Sequence, residues 1–92
     1  EMGRGDLAIA DFTRAINLRP NWADPYNNRG SVRSRLGDPQ QALKDYDRAI
    51  ELNDRYAEAY ANRARLRQAL GDAEGARRDL QRYQELTGRA LP

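Results

Sequence analysis

Acidic and basic side chains recur along the chain at a spacing that could support ion pairing or acid and base chemistry. An Asp-x-x-Arg pair occurs at steps of about 34 residues, as Asp11/Arg14, Asp45/Arg48 and Asp79/Arg82. Opposite charges three residues apart face each other on a helix, and Arg29 on a preceding segment could also reach Asp45 or Asp11. Because a contact between stacked units must recur in every unit, we interpret these charges as structural rather than catalytic.

Residue types that most enzymes use for catalysis and metal binding are missing from the sequence. The 92 residues include no Cys and no His, which excludes disulfides, thiolate nucleophiles, imidazole bases and the usual zinc sites. Asp45 and Asp47 are two residues apart, so on a helix they point to different faces and do not form a glycosidase-like pair. The Gly-Asp turns lack the successive carboxylates of a calcium loop. We therefore expect no enzyme activity, no cofactor and no metal.

The charge balance of the chain argues against a nucleic-acid partner. Sixteen Lys and Arg residues are interleaved with 14 Asp and Glu residues, which leaves a formal charge of +2 and no basic block. No apolar run approaches the roughly 18 residues that span a bilayer, and no signal-peptide pattern is visible. We expect a soluble chain without a membrane span, with the cytoplasm as its default location.

The sequence is an internal repeat. Five positions are identical in three copies, namely Gly3/Gly37/Gly71, Ala8/Ala42/Ala76, Asp11/Asp45/Asp79, Arg14/Arg48/Arg82 and Leu18/Leu52/Leu86. Copies two and three also share further positions, including Tyr26/Tyr60, Asn28/Asn62, Arg29/Arg63 and Arg33/Arg67. A fixed period of this length is typical of proteins in which each unit stacks only on its neighbours.

Two helices are predicted in each full copy, because apolar residues recur at three- and four-residue steps. In copy two they are Tyr26, Gly30, Val32 and Leu36 on the first helix and Ala42, Leu43, Tyr46, Ala49 and Ile50 on the second. Between them, Gly37 is a helix stop, Asp38 is an N-cap and Pro39 suits the first helical position. The third copy repeats this turn as Leu70-Gly71-Asp72.

Small residues at fixed places predict close helix crossings. Together with the aromatic residues they resemble the tetratricopeptide repeat family, through Tyr26, Gly30, Ala42, Tyr46 and Ala49. The chain departs from the family at Arg29 and Arg33, where a Leu and a Tyr are frequent. The resemblance implies an all-α fold, a right-handed superhelical solenoid of antiparallel helix-turn-helix repeats.

The repeat pattern predicts three segments. Residues 1–22 match only the second helix of a truncated repeat, residues 23–56 form one complete repeat and residues 57–92 form a second, C-terminal one. The outer face of the last helix is polar, as a terminal unit needs for solubility. Its changes relative to copy two are Arg77 for Leu43, Tyr83 for Ala49 and Gln84 for Ile50.

An apolar stripe near the start of the chain lacks its usual cover. Ala8, Phe12 and Ala15 lie on the helix whose partner within the repeat is missing from the pattern. An uncovered apolar patch normally marks truncation, self-association or a neighbouring element. We favour a fragment of a longer array, and the alternative is a structural self-assembly module that forms homo-oligomers through these three residues.

The family resemblance implies that the first helix of each repeat lines a concave surface that binds a peptide or helix of a partner protein. Amides and guanidiniums dominate the predicted partner-binding face, which comprises Asn27, Asn28, Ser31, Arg35, Asn62, Arg65 and Gln68. Some family members clamp a terminal carboxylate with Lys and Asn, and Asn28 matches the Asn. Asp24 and Glu58 stand where a basic residue is expected and disfavour an acidic tail. We expect a protein-interaction scaffold or adaptor.

Overall fold

A computed structural model describes residues 3–90, which form five helices and no strand. The helices are α1 (Arg4–Leu18), α2 (Ala23–Arg35), α3 (Pro39–Leu52), α4 (Ala57–Ala69) and α5 (Ala73–Thr87). Each helix packs on the next in sequence, and α2 also touches α4, over a body of 39 × 26 × 19 Å. The predicted all-α solenoid of helical hairpins is confirmed.

The turns inside the two hairpins have the predicted chemistry. Gly37 and Gly71 have φ values of 83° and 86°, a left-handed conformation that only Gly adopts at low cost. The carboxylate of Asp38 then accepts a hydrogen bond from the backbone N–H of Gln41 at 3.4 Å, and Asp72 does the same for Gly75 at 2.9 Å. Only three residues therefore separate the end of one helix from the start of the next in each hairpin.

Alanines form the tightest contacts of the core. Fully buried alanines on three successive helices let the helix axes approach closely; they are Ala42 and Ala49 on α3, Ala59 and Ala64 on α4, and Ala76 on α5. Larger side chains fill the adjoining space, with Tyr46 and Leu66 packed against Ala42 and with Tyr26 and Tyr56 around Ala49. The buried residues form two small clusters, one around Ala49 and one around Ala42.

The crossing of α2 and α3 requires a glycine. A Cβ atom built on Gly30 would lie 2.8 Å from Cε1 of Tyr46 and 3.1 Å from Cβ of Asp45. The equivalent pair in the next hairpin is Ala64 and Leu80, in which a smaller partner leaves room for a methyl group. At the equivalent crossing, the first hairpin therefore pairs glycine with tyrosine, and the second pairs alanine with leucine.

A buried carboxylate and two guanidiniums join the two helices of each hairpin. Asp45 accepts hydrogen bonds from Nε and Nη2 of Arg29 at 3.0 and 2.8 Å and from Nη1 of Arg33 at 3.0 Å. In the second hairpin Asp79 accepts the same three bonds from Arg63 and Arg67 at 2.7–2.9 Å. The predicted contact between Arg29 and Asp45 is confirmed, and Asp11 is not part of it.

The Asp-x-x-Arg pairs behave differently from the sequence interpretation. Only Asp11 and Arg14 pair with each other, at 3.4 Å on the surface. Asp45 and Asp79 turn inward to the arginines of the preceding helix, so Arg48 and Arg82 pair instead with Glu51 and Glu85. Bidentate geometry away from water outweighs an exposed pair on the helix surface.

The end helices α1 and α5 expose the residues singled out in the sequence to different extents. On α1, Ala8, Phe12 and Ala15 are half-buried, whereas Leu18 remains 77% exposed. On α5, Arg77 and Gln84 are exposed and Tyr83 is half-buried. Among residues 3–90 no helix has both the length and the apolar character needed to cross a membrane.

Candidate partner-binding groove

A cavity of about 480 Å³ opens between α2 and α4, and we call it the central groove. Four repeat-equivalent pairs of positions line its walls, namely Asn28/Asn62, Ser31/Arg65, Val32/Leu66 and Arg35/Ala69. Phe12 from α1, Ser34 from α2 and Tyr46 from α3 complete the lining. The groove exists because first helices of successive repeats lie side by side, which brings the same helix face together twice.

Five of the seven residues predicted for partner binding line the central groove. They are Asn28, Ser31, Arg35, Asn62 and Arg65. Gln68 is exposed but lies outside this lining. Asn27 is only 1% exposed and cannot touch a partner directly, because a step of one residue rotates it by about 100° from Asn28 towards the interior.

Asn27 lies at the centre of a polar network under the groove. Its side-chain oxygen accepts a hydrogen bond from the amide of Asn62 at 3.0 Å, and its own amide donates to the hydroxyl of Tyr56 at 3.3 Å. Asn62 also donates to the hydroxyl of Ser31 at 3.3 Å. The amide group of Asn62 is therefore committed to the protein itself and holds α4 in register with α2.

Ser31 links this network to the core. Its hydroxyl donates to the backbone carbonyl of Asn27 at 3.2 Å and accepts a hydrogen bond from the hydroxyl of Tyr46 at 3.3 Å. Burial raises the pKa of Tyr46 despite the opposing effect of the Ser31 hydrogen bond. The phenol therefore stays protonated at neutral pH and keeps donating to Ser31.

Two polar side chains on the groove wall remain unused. Asn28 and Arg35 are exposed and make no side-chain hydrogen bond or ion pair within residues 3–90. Arg65 is also exposed and makes one long bond, from Nη1 to the side-chain oxygen of Asn62 at 3.5 Å. These three side chains can donate hydrogen bonds to a ligand without giving up an internal partner of comparable strength.

The floor of the groove is apolar, which the sequence interpretation missed. Val32 and Leu66 are almost buried yet reach the cavity, and Phe12 closes one end. The repeat carried a signal for the first two, because Val32 and Leu66 occupy equivalent positions directly after the predicted residues Ser31 and Arg65. An apolar floor with a few polar groups at its edge is the usual composition of a ligand site.

A second cavity of about 360 Å³ continues the concave face towards α5. Asn62 and Arg65 line both cavities, and Glu58, Tyr83 and Arg89 line only the second. Glu58 therefore faces the second cavity and is not part of the central groove. Tyr83, which the sequence pattern assigned only to a capping face, contributes an aromatic ring.

Asp24 does not belong to the central groove. It lines a separate cavity at the turns, next to Trp22 and Asn53. It also faces Tyr56, whose pKa is raised to about 12, first by burial and then by the negative charge of Asp24. The sequence interpretation placed Asp24 near the groove because it considered position along the helix and not the direction of the side chain.

Comparisons with known proteins identify the repeat. The family model of the tetratricopeptide repeat matches residues 23–56, and a second tetratricopeptide model matches residues 45–78. No curated protein sequence matches the chain. The solved structure of MamA is 24% identical over 94% of this chain and 50% of its own length, with a TM-score of 0.87, and this likeness concerns the fold.

Two solved domains of Spaghetti (RPAP3) are more similar in sequence. Its first TPR, bound to the HSP90 peptide SRMEEVD, is 32% identical over 97% of this chain and 71% of that one, with a TM-score of 0.91. Its second TPR, bound to the same peptide, is 30% identical over 91% of this chain and 78% of that one, with a TM-score of 0.86. The chain therefore belongs to the tetratricopeptide repeat family.

Proposed function

We propose that the chain binds a segment of a partner protein in the central groove and acts as an interaction scaffold. The observation that carries the proposal is the combination of an apolar floor at Val32 and Leu66 with the unused donors Asn28, Arg35 and Arg65 along its edges. The family membership supports binding rather than catalysis, and the similar RPAP3 domains were solved with a bound peptide.

The charges around the groove favour a ligand of mixed charge. Arg35 and Arg65 can form charge-assisted hydrogen bonds with acidic side chains or backbone carbonyls of a ligand. Glu58 lines the adjoining cavity and repels a continuous acidic tail. A segment with an acidic residue over the arginines and an apolar residue over Leu66 fits both features.

Binding is expected to be weak for these repeats alone. The groove is open and is shared by only two first helices, so the buried area is small. Interfaces of this size are typical of transient complexes, and we expect dissociation constants on the order of micromolar. Gln68 and the buried Asn27 are not direct contacts in this proposal, and Asn27 and Asn62 instead position Ser31 and Arg65.

Peptide selection followed by calorimetry tests the proposal. A random peptide library displayed on phage is selected on the immobilised chain, and one selected peptide is titrated into Asn28→Ala, Arg35→Ala and Arg65→Ala. Each change in arginine should weaken binding by roughly threefold to tenfold, because it removes a charge-assisted bond and leaves the fold intact. Circular dichroism verifies that helicity is retained.

The matched control is Arg78→Ala, which removes an exposed arginine of α5 outside the groove. It should leave the affinity unchanged. If Arg78→Ala and Arg35→Ala lowered the affinity equally, the effect would come from net charge alone. That result would contradict the groove assignment. Asn62→Ala is unsuitable as the test, because it would leave the side-chain oxygen of buried Asn27 without its donor.

A further inference from the structure

One face of α1 is only partly covered, because within residues 3–90 no helix precedes α1, whereas a preceding helix packs on the same face of α3 and of α5. We call it the open stripe, and it consists of Ala8, Asp11, Phe12, Ala15 and Leu18. The equivalent residues of α3 are Ala42, Asp45, Tyr46, Ala49 and Leu52. The repeat therefore supplies an internal reference for how this face is used when it is occupied.

Exposure differs sharply between the equivalent positions. The side chain of Asp11 is 71% exposed, whereas those of Asp45 and Asp79 are 4% and 3% exposed. Phe12 is only half-buried, whereas Tyr46 is buried. The open stripe thus combines an apolar row with a carboxylate that lacks the two guanidiniums bound by its counterparts.

The helices that cover α3 and α5 share one sequence. On α2 it is Tyr26, Arg29, Gly30 and Arg33, and on α4 it is Tyr60, Arg63, Ala64 and Arg67. In both cases the two arginines bind the central carboxylate, and the small residue sits at the close crossing. The shared pattern is Tyr-x-x-Arg-small-x-x-Arg.

We propose that the open stripe is the docking site for a partner helix carrying Tyr-x-x-Arg-Gly-x-x-Arg. The two arginines of that helix bind the carboxylate of Asp11, as Arg29 and Arg33 bind Asp45. Charge complementarity is specific here, because a planar guanidinium matches both carboxylate oxygens and a lysine does not. The ion pair between Asp11 and Arg14, exposed and 3.4 Å long, gives way to this arrangement.

The size of Phe12 selects glycine over alanine in the docking helix. Gly30 faces the aromatic ring of Tyr46, and a Cβ atom there would lie 2.8 Å from the ring, whereas Ala64 occurs where Leu80 replaces the aromatic residue. Phe12 is aromatic like Tyr46, so the docking helix needs glycine at the position equivalent to Gly30.

The tyrosine of the pattern has its own partner on α1. The guanidinium of Arg48 lies 5.9 Å from the ring centre of Tyr26, and that of Arg82 lies 5.9 Å from the ring centre of Tyr60. Arg14 is the third member of this series. It can stack on the tyrosine of a docked helix, which is a cation–π contact.

A second copy of the chain does not offer this helix freely. Within residues 3–90 the pattern occurs on α2 and α4, and both copies are already packed on α3 and α5 through buried carboxylates. Opening either hairpin would leave Asp45 or Asp79 buried without its guanidiniums, which is strongly unfavourable. The proposed occupant is therefore a helix that lies outside residues 3–90.

The probe for this site is a fluorescent peptide with the sequence of residues 20–37 of the chain, which contains the full pattern. Its binding is followed by fluorescence anisotropy. We expect saturable binding that Asp11→Asn weakens by about tenfold or more, because the charge-assisted pairs are lost. A peptide with Arg29→Ala and Arg33→Ala should lose the same factor, and Gly30→Ala should also bind more weakly.

Asp6→Asn is the matched control, because Asp6 is an exposed carboxylate of α1 outside the open stripe. It should bind the peptide as the unmodified chain does. The proposal would be overturned if Asp11→Asn bound the peptide as tightly as the unmodified chain does. It would also be overturned if the unmodified chain showed no binding at millimolar peptide. Self-association that is abolished by Phe12→Asp would overturn it as well, because that result would assign the stripe to a second copy. Arg35→Ala in the groove should not change the result, which keeps this test separate from the proposed function.

Discussion

Asp45 and Asp79 are the residues on which each hairpin most depends. Each is a carboxylate removed from water, and its charge is tolerable only because two guanidiniums reach it with good geometry. Arg29 extends the same contact to the hydroxyl of Thr13 on α1, and Arg63 extends it to Asp47 on α3. One residue pair therefore connects three helices.

Removing one partner of this pair should be costly. Arg29→Ala leaves Asp45 buried with a single guanidinium, and we expect a loss of about 3 kcal/mol in the free energy of unfolding. A double-mutant cycle with Asp45→Ala, measured by urea unfolding, should show coupling well above about 0.5 kcal/mol. Additive losses would contradict the network, and the exposed pair Asp11 and Arg14 supplies the reference cycle with little coupling.

The raised pKa of Tyr56 predicts a loss of stability in strong alkali. The folded protein holds the phenol proton up to a pKa of about 12, while the unfolded chain releases it near the ordinary value of about 10. The contribution of Tyr56 to the free energy of unfolding is therefore constant below about pH 10 and should fall between about pH 10 and 12. Urea unfolding of Tyr56→Phe should show a shallower fall, and an unchanged pH dependence would contradict the assignment.

The sequence predicted which residues interact better than it predicted the direction in which each side chain points. The periodic charges identified Arg29 and Asp45 as partners, because a stacking contact has to recur. The same reasoning assigned both Asn27 and Asn28 to the partner-binding face, although Asn27 is buried in a network with Tyr56 and Asn28 is exposed without a side-chain hydrogen bond within residues 3–90. Side-chain direction depends on where the neighbouring helix passes, and the pattern of one helix does not contain that information.

Helix pairs in this protein approach closely because small residues occupy the crossings. Ala42 is completely buried and packs in one cluster with Tyr46 and Leu66. Gly37 and Gly71 set the turns, and the caps Asp38 and Asp72 fix the first residue of the following helix. The helix bounds follow largely from these local signals, so the sequence could predict the hairpins well.

Ala42→Leu should destabilise the first full hairpin by overpacking. We expect a loss of roughly 1 to 3 kcal/mol in the free energy of unfolding, because the added carbons have no space between α3 and its neighbours. Thermal and urea unfolding measure the change. Ala10→Leu on the exposed face of α1 is the control and should be close to neutral. An unchanged midpoint for Ala42→Leu would contradict the close crossing.

The first hairpin has Gly30 and Tyr46 at a crossing where the second has Ala64 and Leu80. This difference predicts that substitutions at the two positions compensate for each other. Gly30→Ala alone should cost roughly 1 to 3 kcal/mol, because the methyl group meets the ring of Tyr46. In a Tyr46→Leu background the same change should cost less, since Leu80 accommodates Ala64 in the second hairpin. Unfolding measurements on the four proteins of this cycle test the idea, and equal costs in both backgrounds would contradict it.

The two proposed binding surfaces of the molecule meet at Phe12. This ring closes one end of the central groove and also belongs to the open stripe of α1. The concave arrangement of α2 and α4 follows from the repeat and could be predicted from the family pattern. The apolar floor was missed although Val32 and Leu66 occupy equivalent positions in the repeat. The continuation towards Tyr83 could not be predicted, because it arises from a contact between α4 and α5 that the pattern of one helix does not contain.

The most direct test of the account is the location of a bound peptide on the folded chain. A peptide selected from the phage library is titrated into isotopically labelled protein, and changes in amide chemical shift are mapped by NMR. We expect the largest changes at Asn28, Arg35 and Arg65 and on the adjoining residues of α2 and α4. Changes confined to the outer faces of α3 and α5, with these three residues unaffected, would contradict binding in the central groove.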